Sequence, residues 1–421
     1  MMLYNRLSIK FFSILITLIP IALITGPFLP DLFIVIIGFG YLLIINKEKN
    51  FHLTNIFFFK LFFLIYLYFL TLSIMSQNLY SFKSGFFYFR FGLFSLALSY
   101  FINKDEKILK YLFYIFLLIY FALFFDSLFQ FFFSKNIIGF EYINESNFRI
   151  TSFFGKDEIL GSYTARLFPF LLFLILWNSS FNFSKKVIFL SSIVTIISFS
   201  TVLISGERTS LGLFILAFLF IFFSSINYRN FFLIPLLAII FIFFATISTS
   251  DKVRYRVITQ TLEQMGLNSQ SERPIIFSKT YEGHYKIAFN MFKEKPIIGH
   301  GPKMFRFYCS KKENFVAPNA CTTHPHNFYA QALAETGIIG FTILLSIFTY
   351  IVFLFLKNFY FQVFKKKQFI SDISVCLLGF YFMTLFPLLP SGNFFNNWLS
   401  ILIYFPLGCL LYVIRKNKFY V

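Results

Sequence analysis

The segment NFFLIPLLAIIFIFFATIS, residues 230–248, decides the fold. It is 19 residues long and carries no ionisable side chain. A helix of that length rises about 28 Å and spans most of a hydrocarbon core roughly 30 Å thick. Within lipid a helix satisfies its own backbone hydrogen bonds, which an open strand cannot do. The alternating pattern of a membrane barrel is absent from the segment.

Working outward, runs of the same kind recur at 10–27, 31–46, 56–75, 86–102, 109–133, 159–178, 186–204, 209–226, 331–356, 370–389 and 395–414. The pattern predicts an all-α integral membrane protein of about twelve transmembrane helices. Composition agrees: of 421 residues, 58% are hydrophobic and 13% charged, and the mean hydropathy is +0.73. An ordinary soluble domain lies far from these values. The 71 phenylalanines run through the whole chain, so no aromatic residue marks a site merely by being aromatic. The start MMLYNRLSIKFFSILITLIP lacks a small-residue cleavage site and reads as a retained first helix.

The net charge of +19 comes from short breaks between spans, where the positive-inside rule accounts for it, and no nucleic-acid-binding motif is present. Lys47, Lys49, Lys104, Lys107, Lys110, Lys185, Lys186, Arg229, Lys357, Lys365 to Lys367, Arg415, Lys416 and Lys418 fall after alternate spans, on the side of Arg6 and Lys10. That side is expected to be cytoplasmic, with both termini on it. The breaks at Pro27 to Pro30, Ser76 to Ser84, Ser134 to Glu158, Ser205 to Arg208 and Pro390 to Asn393 face the other way. So does the long segment 249–330, whose size frees it from the charge rule. The chain thus divides into helices one to nine over 1–248, an external loop over 249–330, and helices ten to twelve over 331–421.

Four of the five histidines lie between Lys279 and Phe341. Tyr281, Tyr285, Ala288, Phe289 and Phe292 recur at helical spacing, which predicts an amphipathic helix ending at Lys295 before Pro296. PIIGHGP, residues 296–302, is a glycine-rich turn, followed by a short element carrying Arg306. TTHPHN, residues 322–327, leads into a helix from about Phe328, placing His326 and Asn327 near free backbone N–H groups that favour anionic oxygens. Cys309 and Cys321 flank a polar spacer; outside the cytoplasm they either pair or remain two thiols. Cys376 and Cys409 lie in apolar runs as packing residues.

His324 and His326 stand two apart around a proline, without HExxH and without a third acidic ligand, so no metal site is expected. No Walker or dinucleotide glycine pattern and no GxSxG elbow occurs, and no cofactor is expected. What remains is histidine beside arginine. Arg90, Arg149, Arg166 and Arg208 interrupt or border the apolar spans, as does Asp126, where a charge needs a partner or a water-filled cavity. Arginine binds phosphate with a planar fork, and histidine takes a proton from a hydroxyl near neutral pH. A lipid-linked diphosphate attacked by an alcohol needs those two functions. A secondary transporter is the alternative of another class, but its internal repeat is not visible.

His326 and Asn327, followed by Gly337 and Gly340, with KEKPIIGHGPKMFR at 293–306 and SGERTSLG at 205–212, resemble the O-antigen ligase and O-antigen polymerase family of bacterial membrane glycosyltransferases. The resemblance implies a GT-C-type fold in the bacterial inner membrane, with a large periplasmic loop holding short amphipathic helices. It implies metal-free, inverting transfer of glycan from undecaprenyl diphosphate to a hydroxyl of lipid A core, or of another glycan in a polymerase. The compact loop and the HxHN form look more like the ligase branch. By motif, His326 takes the place of the catalytic histidine and Arg208 that of the arginine at the outer helix end. The family's further arginine, at or before the loop helix, has no counterpart between Lys279 and Phe292; Arg273 and Arg306 rank ahead of His284 for its role. His324, Asn327, Arg149 and Arg90 complete the expected diphosphate and substrate contacts.

Overall fold

The computed structural model describes residues 2–49, 57–141, 148–267 and 278–421. These form the helices α1 Met2–Ala22, α2 Phe28–Glu48, α3 Phe57–Met75, α4 Leu79–Phe86, α5 Phe89–Lys104, α6 Lys107–Phe133, α7 Leu160–Asn178, α8 Lys185–Ile204, α9 Arg208–Ser224, α10 Ile226–Thr249, α11 Asp251–Arg254, α12 Gln260–Gln264, α13 Lys279–Glu294, α14 Phe305–Tyr308, α15 Phe328–Phe364, α16 Asp372–Thr384 and α17 Asn397–Arg415. Among the described residues there is no β-strand beyond two isolated bridges.

Among the described residues, nine helical segments are long and apolar enough to cross a membrane, and three shorter apolar helices, over Leu7–Ala22, Arg208–Ser224 and Asp372–Thr384, complete twelve. Each corresponds to one apolar run in the sequence. The protein is a polytopic all-α membrane protein.

Helix α7 is the hub. Every residue from Tyr163 to Leu176 is buried, because α6, α8, α9 and α16 pack round it. A helix apolar on all sides finds its place in a bundle centre. Helix α10 is more apolar than α7 yet leaves Leu233, Ile234, Leu237, Phe241 and Phe244 exposed, a surface suited to hydrocarbon.

Consecutive spans alternate in direction, so their connections gather at two ends. At one, Lys104 pairs with Glu48 and Lys416 with Glu106 at 3.2 Å each, and Asn358 donates to the Ser224 carbonyl at the foot of α9. The chain's C-terminal residues lie here, Ser371 donating its backbone N–H to Phe419. The opposite end carries the long segment between α10 and α15.

That segment is anchored by backbone. α15 is broken at Gly337, with φ 61° and ψ −165°. The 296–302 turn fits into the break: His300 N–H donates to the Ala334 carbonyl, Gly301 N–H to Glu335 and Ile338 N–H to Pro296. A Cβ on Gly337 would lie 2.3 Å from the Ile297 oxygen, and one on Gly299 would lie 2.5 Å from the Glu335 carbonyl carbon. Only glycine fits at either position. The buried Glu335 carboxylate accepts Lys303 N–H and Phe305 N–H, both at 3.0 Å, and Gln331 Nε2 at 2.8 Å. Cys309 and Cys321 are joined in a disulfide.

Candidate active site

Three imidazoles meet at the loop-bearing end. His284 comes from α13, and His324 and His326 from the turn before α15. The His326 ring lies 4.1 Å from that of His324 and 5.1 Å from that of His284, and Tyr281 adds its ring at 5.7 Å. His284 is fixed by its Nδ1, 2.6 Å from the Ala320 carbonyl. His324 Nδ1 lies 2.9 Å from the Thr323 hydroxyl. His326 holds φ 52°, and its carbonyl accepts Ser391 N–H at 2.8 Å.

Burial, reinforced by His284, brings the His326 pKa down to about 4. Burial, then His326, His284 and Arg306, bring His324 down to about 3, and burial also lowers His284. All three rings are neutral at neutral pH. A neutral imidazole can accept a proton, and a bound anion beside it would strengthen it as a base.

Cations stand in two groups. Arg208, the first residue of α9, donates to Thr261 Oγ1 at 3.1 Å and Gln264 Oε1 at 2.8 Å. Arg256 joins it from the π-helical turn Tyr255–Thr259, which links α11 to α12. Arg256 Nε donates to the Gly206 carbonyl at 3.2 Å, and Nη1 to Gln260. Burial, then Arg149 and Arg208, lower its pKa to about 10, leaving it charged at neutral pH. Arg149 belongs to the same group and faces Glu158 at 3.4 Å. Tyr281, which touches His326, also interacts electrostatically with Arg208 and Arg256. The histidines and this group therefore border one another.

The second group is Lys303 and Arg306. Arg306 donates to the Tyr80 hydroxyl at 2.9 Å and covers its ring at 4.7 Å. Together with Arg166 and His324 these residues line a cleft of about 460 Å³.

The sequence-derived residues are thus placed unevenly. His284, His324 and His326 come together, and Arg208 with Arg149 lies alongside. Arg306 lines the cleft with Lys303, while Arg208 is bonded to Thr261 and Gln264. Asn327 is the N-cap of α15: its Oδ1 accepts Tyr329 and Ala330 N–H, and its Nδ2 donates to the Pro387 carbonyl. The amide itself occupies the helix start where an anion was expected. Arg90 forms a two-point pair with Asp31, at 2.7 and 3.2 Å, and holds α5 to α2. Asp126 accepts Ile137 N–H and the Ser152 hydroxyl, a structural role. His300 is bonded to the Met291 carbonyl at 2.9 Å and pins the turn. Arg273 lies outside the described residues.

Arg256 and Lys303 escaped sequence reading. For Arg256 the only signal was an arginine among Val253, Val257 and Thr261 at helical spacing; a π turn has no sequence signature strong enough to aim it. Among the described residues no group of three or more His, Cys, Asp or Glu side chains is arranged to hold a metal ion.

Residues 193–345 match the family model described as O-antigen ligase. Over that segment the chain is similar to the O-antigen ligase family. A search of curated proteins found no match. The matched segment runs from α8 into α15 and includes Arg208, Arg256, His284, Lys303, Arg306, His324 and His326. That similarity supports a glycosyltransferase-like membrane enzyme of the ligase or polymerase type, acting on glycan at the lipid bilayer.

Proposed function

We propose that the protein transfers a glycan from undecaprenyl diphosphate to a sugar hydroxyl of lipid A core, with His326 as general base. The observation that carries this reading is the contact of a neutral His326 with His284 and Tyr281, beside the Arg149, Arg208 and Arg256 group. The acceptor oxygen attacks the anomeric carbon while its proton passes to His326. The bond from that carbon to the diphosphate oxygen breaks, and lipid diphosphate leaves. One displacement inverts the anomeric centre. The leaving charge is met by guanidinium groups, which serve here in place of a metal. His284 and His324 hold the His326 ring in place; Tyr281 links it to the arginines.

The site-bearing end of the bundle faces the periplasm in this reading, with both termini in the cytoplasm and the bundle in the inner membrane. Two observations support it: the lysine-rich breaks gather at the opposite end, and a disulfide suits an oxidising compartment. A GT-C-type architecture is part of the same reading. Polymerisation of repeat units uses the same donor and base with a glycan acceptor.

Replacing His326 by Ala removes the base and is expected to abolish glycan transfer while the protein still inserts and purifies as folded protein. Transfer at the wild-type rate by His326→Ala would remove His326 from the chemistry.

A further inference from the structure

The mechanism above draws on the Arg149, Arg208 and Arg256 group and leaves the other cations unused. Those cations border the cleft of about 460 Å³, whose lining residues include Arg166, Lys303, Arg306, His324, Asn393 and Asn396 but no carboxylate. Arg166 is 3% exposed; its Nε reaches Ser162 Oγ at 3.3 Å, while its buried Nη1 has no hydrogen-bond partner. Arg306 Nε and His324 Nε2 are likewise buried and unpartnered. Asn393 Oδ1 accepts from Gln331 and from Phe395, which turns its amide nitrogen to other partners. The nearest carboxylates are committed elsewhere. Glu335 accepts Lys303 N–H, Phe305 N–H and Gln331, and Glu207 accepts Gly161 N–H, Ser162 N–H and the Ser210 hydroxyl.

Several N–H donors left without acceptors around one cavity are costly unless an acceptor arrives. Water can fill that role for a neutral set. A lining with three cationic side chains and no carboxylate selects an anion instead. Lys303 strengthens the case: it holds φ 60°, a conformation unfavourable for a lysine, and its N–H bond to Glu335 keeps it there. Burial and then Arg306 lower its pKa to about 8, and the charges of Glu335 and Asp31 only partly offset them. Tyr80 and Trp398 form aromatic walls next to the charges, a surface that suits a sugar ring.

We propose that Arg166, Lys303, Arg306 and His324 form a binding pocket for a phosphate or diphosphate oxyanion, built from residues other than the Arg149, Arg208 and Arg256 group. The oxyanion comes either from the lipid-linked donor or from a phosphorylated sugar of the acceptor.

The test reads binding rather than transfer, so it stands apart from the role given to His326. Full-length protein in lipid nanodiscs is treated with an amine-acylating reagent, and labelling of Lys303 is followed by mass spectrometry over a titration of inorganic pyrophosphate. Saturable protection of Lys303 is expected in the wild-type protein, and no variant is needed for that result. Arg306→Gln is expected to weaken protection at least tenfold, since charge-assisted hydrogen bonds are worth about 1.5–3 kcal/mol. Arg208→Gln is expected to leave the midpoint within about twofold, allowing for weak long-range coupling. Competition by undecaprenyl diphosphate in the nanodisc identifies the donor as the source, and competition by a soluble hexose phosphate alone identifies the acceptor. Absence of saturable protection in the wild type would overturn the pocket, as would equal loss in Arg306→Gln and Arg208→Gln.

Discussion

His326 is built to stay neutral. Its left-handed backbone costs about 1–2 kcal/mol for a non-glycine residue, and the Ser391 bond to its carbonyl helps keep it there. An ordinary imidazole protonates at about pH 6.5; this one does so at about 4. If neutral His326 is the base, kcat/KM is expected to hold down to acid pH and fall as pH drops through about 4, without a break near 6.5; initial rates across pH 4–8 check this. The same shift has a stability consequence of fixed sign. Below the ordinary value the unfolded chain binds protons that folded His324 and His326 refuse. Stability from these neutral rings is therefore complete above about pH 6.5 and is lost as pH falls towards the folded values. Thermal melts in detergent should show a falling Tm over that window, flattened in His324→Asn. Among the arginines, Arg256→Gln is expected to lower kcat by about 10- to 100-fold, the range for losing one charged donor at a developing anion. Arg208→Lys keeps charge but loses the planar fork, and a comparable fall is expected. His326 and Arg208 could be named from their motifs. Arg256 could not, because its direction depends on a π turn; Asn327 caps α15, and capping and anion binding ask for the same residue type.

At the scale of elements, the apolar runs were legible because lipid imposes length and hydrophobicity on every span. The face of α13 was not. Its buried stripe is Gly283, His284, Ile287, Ala288 and Met291, whereas Phe289 is 49% exposed. The helix leaves Phe289 outward and buries a histidine, because its inner stripe packs on the small partners Ala320, Cys309 and Ala334, with Phe305, and on the other imidazoles. Gly337 admits the 296–302 turn, backbone against backbone. Gly337→Ala combines a left-handed conformation with a 2.3 Å approach to the Ile297 oxygen. It is expected to lower stability by about 1–3 kcal/mol, as for a strained backbone position, and to release the loop, seen as faster proteolysis between α13 and α15. The disulfide joins cysteines 12 positions apart, and for loops near that length the stabilisation is about 3 kcal/mol. Cys309→Ser with Cys321→Ser is expected to loosen the same segment under the same protease.

Over the whole molecule, alternation of twelve spans sends the lysine-rich breaks to one end and the histidine loop to the other. This separation could be read before any coordinate, since charge and hydropathy alone specify it. Which cations share a cavity could not be read, because Arg166 in α7 meets Lys303 and Arg306, well over a hundred residues away, only through packing. A deletion strain is expected to lose surface glycan; accumulation of full-length undecaprenyl-linked polymer marks a ligase and accumulation of single repeat units a polymerase. The most direct measurement is transfer by the purified protein in nanodiscs, with undecaprenyl-diphosphate-linked glycan as donor and lipid A core as acceptor, comparing wild type with His326→Ala. Glycan-bearing acceptor is expected with the wild type and none with the variant; equal product from both, or none from either with a donor and acceptor shown to be competent, would contradict a glycosyl transfer based on His326.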